Sequence, residues 1–77
     1  MTKSEISQQV IRELNFIYDE NVSEQTTFAD LNMDCLDMAE LLGDMEQRFG
    51  VKLDCEPETV EELATEVWRL KNENLLL

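Results

Sequence analysis

Residues Asp34–Gly50 read DCLDMAELLGDMEQRFG, and how this stretch folds decides the architecture. Asp34 is a strong N-cap residue and Asp37 stands near the positive end of a helix dipole, while Met38, Leu41, Leu42, Met45 and Phe49 recur at helical spacing on one face. Gly50 supplies a left-handed stop. The stretch predicts an amphipathic helix whose apolar side needs partners. It also puts a thiol, Cys35, in the first turn of that helix between two aspartates.

The partners lie on both sides. Upstream, Ile6, Val10, Leu14 and Ile17 repeat at helical spacing, with Ile11 and Tyr18 widening the stripe, so a helix is expected from Ser4 to about Tyr18, capped by Ser4 or Thr2. Downstream, Thr59 and Glu62 form a T-x-x-E capping box ahead of Val60, Leu63, Ala64, Val67, Trp68 and Leu70, which marks a last helix followed by a fraying Asn72–Leu77 tail. Between the first two helices the chain is polar and turn-rich. Its three apolar residues Val22, Phe28 and Leu31 are spaced too irregularly for a helix or strand and are expected to pin the loop to the core. There is no internal repeat and no sustained heptad. The expected fold class is all-α: one domain over residues 1–77, a small antiparallel bundle of three main helices with one long crossing loop.

Composition narrows the function. A chain of 77 residues buries one core only, and 43% hydrophobic residues are too many for a disordered tail. Eighteen acidic against six basic residues give a net charge of −12, which opposes nucleic acid and anionic membranes and attracts basic protein surfaces. The apolar runs are short and no secretory leader is evident, so a soluble cytoplasmic protein without membrane insertion is expected. In that reducing setting Cys35 and Cys55 are expected as free thiols. Histidine is absent, which removes a thiol–imidazole pair and any Cys/His zinc set. The many carboxylates read first as a solvated acidic face, and no catalytic residues or metal ligands are assigned.

One loop offers a different class of function. Asp19, Asn21, Ser23 and Asp30 occupy positions 1, 3, 5 and 12 of a calcium-loop spacing. The glycine of position 6 is Glu24, position 8 is Thr26, and the last ligand lacks the longer bidentate glutamate. A calcium-responsive helical module is the alternative reading.

The residues DCLDMAEL resemble the D-S-L-D-x-x-E-L signature of the acyl carrier protein family, with Cys35 standing where the serine belongs. The similarity continues upstream through ENVSEQTTFADLNMD, where Asn32 replaces a glycine, and downstream through EQRFGVKL and TVEEL. The resemblance implies a non-enzymatic carrier in lipid metabolism, such as fatty acid biosynthesis. In that family a 4′-phosphopantetheine arm, attached by a phosphopantetheinyl transferase, holds acyl groups as thioesters. It further implies that Cys35, beside Asp34, is the attachment position, and that a monomer docks acyl-processing enzymes with basic surfaces through Leu36, Asp37, Met38, Glu40, Asp44 and Glu46 on the second helix. Gln47 and Arg48 fall where further acids are common, and Asp44 compensates nearby. Met38 is divided evenly between interface and core.

The resemblance also leaves points open. The family carries a short extra helix between the second and last helices; here it is a single turn around Glu56 to Glu58 or absent. Ala39 and Gly43 signify either close helix packing or room for an acyl chain. Four readings of Cys35 stand: an arm linked through sulfur, an armless binding module, direct acylation of the thiol, or a copy whose serine was replaced. A buried Cys35 acting as a small hydrophobe is the bland alternative.

Overall fold

A computed structural model of the chain describes residues 2–18, 21–54 and 56–75, with side chains as far as Asn72. Three helices account for most of it: α1 Lys3–Tyr18, α2 Cys35–Phe49 and α3 Val60–Leu75. Their apolar stripes meet in one cluster in which Ile6, Val10, Leu14, Met45, Val60, Leu63, Ala64 and Val67 are fully buried, with Ile11, Tyr18, Met38, Leu42 and Leu70 packed partly against it. The all-α expectation holds, as a small compact helical bundle.

Each helix is started by its own sequence. Thr2 caps α1, accepting from the Glu5 N–H at 3.2 Å through Oγ1 and from the Ile6 N–H at 3.2 Å through its carbonyl, so of the two expected caps Thr2 is the one used. At α3 the Glu62 N–H donates to Thr59 Oγ1 and the Thr59 N–H donates to Glu62 Oε2, both at 3.1 Å, which closes the expected capping box. Two further helix-start donors of α3 are met by the long loop: Val60 N–H donates to Thr26 O at 3.2 Å and Glu61 N–H to Glu24 O at 2.9 Å. The loop is thus stapled across the start of α3, and an antiparallel bridge pairs Thr27 with Thr59. Val22, Phe28 and Leu31 hold its other side in the core, as expected. Asn32 sits at φ 57°, the left-handed region that asparagine tolerates best among residues with a Cβ, which explains how it can replace a glycine there.

Three details differ from expectation, and one point left open is decided. Ile17 has the right angular position in the α1 stripe but is 56% exposed, at the edge of the space between α1 and α2. Trp68 is 38% exposed at the shoulder of the α3 stripe, so it borders the core and does not join it. α3 continues through Asn72 to Leu75, where fraying was expected; Lys71 Nζ donates to Phe49 O at 3.0 Å and ties its end to the end of α2. Leu76 and Leu77 lie outside the described residues. Among the described residues, no extra helix forms around Glu56 to Glu58. Pro57 disfavours helical geometry at Glu56. Residues 51–54 take no regular secondary structure, with Val51 and Leu53 buried and Lys52 exposed between them.

Candidate functional site

The start of α2 is built by reciprocal capping. The Asp37 N–H donates to Asp34 Oδ1 at 2.9 Å and the Asp34 N–H donates to Asp37 Oδ2 at 3.2 Å, with Asp34 in an extended conformation. Both carboxylates therefore spend acceptor capacity on backbone, and the turn between them is held rigidly. Cys35, the first helical residue, is exposed on that turn, which removes its reading as a buried hydrophobe. Leu36 follows at 74% exposure, an apolar side chain facing solvent next to the thiol. Cys55 lies outside the described residues.

Beside Cys35 runs an open groove of about 550 Å³ between α2 and the chain around residues 53–57. Met33, Met38, Ala39, Leu42, Leu53 and Pro57 give it apolar surface, and Asp34, Cys35, Asp54 and Glu56 complete the lining. Its size falls within the roughly 300–1,000 Å³ of small-molecule sites. Ala39 thus has a place beside open space, whereas Gly43 is not part of this lining. A Cβ built on Gly43 meets no atom within 4 Å, so close helix packing does not require the glycine. Met38 combines both expected roles, packing partly against the core while lining the groove.

The acidic face of α2 is less uniform than its sequence suggests. Glu40 is exposed, and among the described residues its carboxylate has no protein partner. Asp44 pairs with Arg48 at 3.4 Å, and the same guanidinium reaches Glu13 of α1 at 3.3 Å. Glu46, expected on the partner face, is engaged elsewhere. Its Oε2 accepts the Leu53 N–H at 2.7 Å and fastens the segment after Gly50 to α2. That contact commits one of its two carboxylate oxygens to the backbone.

Sequence reasoning missed a second groove, of about 250 Å³, between α1 and α2. Tyr18 lines it and faces the start of α2. Burial, and then the negative charges of Asp37, Asp34 and Glu40, raise its phenol above the ordinary 10.0. The apolar stripe of α1 had marked Tyr18 only as a core-edge residue. The long-range approach of three α2 carboxylates leaves no trace in local sequence.

The calcium alternative finds little purchase in the loop. Asp19 lies outside the described residues, the Ser23 and Asp30 N–H groups donate to Thr26 Oγ1 and Thr27 Oγ1 at 2.9 and 3.1 Å, and the loop is closed by its own turns. Among the described residues no three Asp, Glu, Cys or His side chains gather as a metal set. No helix among them is long and apolar enough to cross a membrane.

The sequence model of the phosphopantetheine attachment site family matches residues 4–67, from the first turn of α1 to the buried Val67 of α3. No curated protein matches the chain.

Proposed function

The chain belongs to the phosphopantetheine attachment site family, whose cofactor is 4′-phosphopantetheine, and from that premise we propose that Cys35 is the arm position of an acyl-carrying domain that docks basic enzymes through α2. The observation that carries the reading is the capped, exposed turn Asp34–Cys35–Leu36–Asp37 with an apolar groove alongside it. The site fits the group in position: the residue is solvent-facing at a helix start, where backbone N–H groups favour a phosphate. In its attacking atom it departs, because a thiol would form a phosphorus–sulfur link in place of the phosphodiester that a serine hydroxyl makes. When bound, the arm supplies a terminal thiol that holds acyl groups as thioesters.

The chain's own residues then have distinct tasks. The Asp34–Asp37 box holds the attachment turn, and Met33, Met38, Ala39, Leu42 and Leu53 offer apolar surface on which an acyl chain can lie away from water. Leu36 and Glu40, with Asp37 and Asp44 beside them, present the contact face for a phosphopantetheinyl transferase and for acyl-processing enzymes. At a charge of −12 copies of the chain repel one another, which favours a monomer.

Intact-mass measurement after incubation with coenzyme A and a phosphopantetheinyl transferase tests the assignment, comparing the chain with Cys35→Ser. The helix start is shared, so only the nucleophile differs. Ready modification of the serine variant, with slower modification of Cys35, is expected, and no modification of Cys35 would refute acyl carriage by the chain as it stands. Failure of the serine variant would refute the attachment site.

A further inference from the structure

The groove between α1 and α2 has features that a carrier role at Cys35 does not use. Its floor is apolar, from Leu14 and Leu41, with Ile17 and Tyr18 along one side. Its volume of about 250 Å³ lies below the usual range of small-molecule sites and suits a large apolar side chain pushed in from outside. Ile17 is 56% exposed at its mouth. Such apolar surface on an otherwise highly charged small domain marks a contact site.

The rim specifies who makes the contact. Glu13 stands on the α1 side, while Asp37, Glu40 and Asp44 stand on the α2 side at helical spacings of three and four, one above another along about 10 Å of helix. Against these four carboxylates stands one guanidinium, Arg48, held to Glu13 and Asp44 at 3.3 and 3.4 Å in surface pairs weak enough to exchange. A second copy of this chain, at −12, is repelled from such a rim.

We infer that the α1–α2 groove is a docking site for an amphipathic basic helix of a partner protein, which seats an apolar side chain over Ile17 and Tyr18 and sets Lys or Arg residues against Glu13, Asp37, Glu40 and Asp44. A helix is the matching shape because it presents apolar anchors and flanking cations at the same three-and-four spacing as the α2 carboxylates. The inference rests on the docking role proposed for α2 and extends that surface onto α1, where Ile17 supplies the specificity that charge alone does not.

The probe is a synthetic Leu/Lys peptide with an amphipathic helical pattern, titrated into the isotope-labelled full chain and followed by backbone NMR. Its control is a peptide of the same composition in scrambled order. Saturable shifts at Ile17, Tyr18, Glu40 and Leu41 are expected, with the scrambled peptide about tenfold weaker because it keeps the charge and loses the apolar face. Ile17→Ser, at an exposed position that leaves the core intact, should also weaken binding about tenfold, and Glu40→Lys should weaken it with loss of salt dependence. If only Glu40→Lys weakens binding, the α2 face stands and the groove is refuted. If neither does, or if both peptides bind alike with shifts spread over all acidic surfaces, both readings fail.

Discussion

The two glycines of this chain should respond to alanine with opposite signs, although neither would crowd a neighbour. A Cβ at Gly43 or at Gly50 meets no atom within 4 Å, so packing contributes nothing to either substitution. What differs is the backbone. Gly43 lies within α2, where glycine costs about 1 kcal/mol relative to alanine, so Gly43→Ala should stabilise by about that amount. Gly50 ends α2 at φ 69° and ψ 34°, with its N–H donating to Glu46 O at 2.8 Å, and a side chain in that left-handed region costs about 1–2 kcal/mol. At this chain length 1 kcal/mol moves the midpoint of thermal unfolding by about 4–8 °C. The two variants should therefore melt on either side of the parent and roughly 10 °C or more apart. Thermal unfolding followed by the helical circular dichroism signal measures this, with urea titration as a check. A destabilised Gly43→Ala would mean that another element packs on that face of α2, and equal effects at both positions would refute the backbone argument.

Two further outcomes follow from single side chains. Glu46→Ala should lose about 1.5 kcal/mol, the lower end for a charge-assisted hydrogen bond because the site is half-buried, and the Leu53 amide should lose its protection from hydrogen exchange; unaltered protection would show that the 2.7 Å contact does not hold the segment. Tyr18, the single tyrosine, should titrate in the folded protein above its ordinary 10.0, so its contribution to stability is fully present below pH 10 and is lost as pH rises through the folded value. Absorbance of the phenolate should show the midpoint falling back on unfolding in denaturant, and an unchanged midpoint would remove Tyr18 from the carboxylates of α2.

The helices and their ends were legible in the sequence because those signals are local. Asp34 with Asp37, Thr59 with Glu62 and the left-handed Gly50 act within a turn or so of one another, and the apolar stripes repeat with the helix itself. The position of Cys35 was legible for the same reason: a residue following a capping aspartate lands in the first turn whatever packs around it. Tertiary structure alone decided the rest, since angle on a helix says which way a side chain points and not what it meets. Ile17 shares the stripe of Ile6, Val10 and Leu14 yet stands exposed at the edge of the space between α1 and α2. Glu46 has the same chemistry as Glu40, yet one fastens Leu53 and the other faces solvent. The raised phenol of Tyr18 arises between residues about twenty positions apart in the chain, where only the packing of α1 beside α2 brings burial and negative charge to bear on one oxygen.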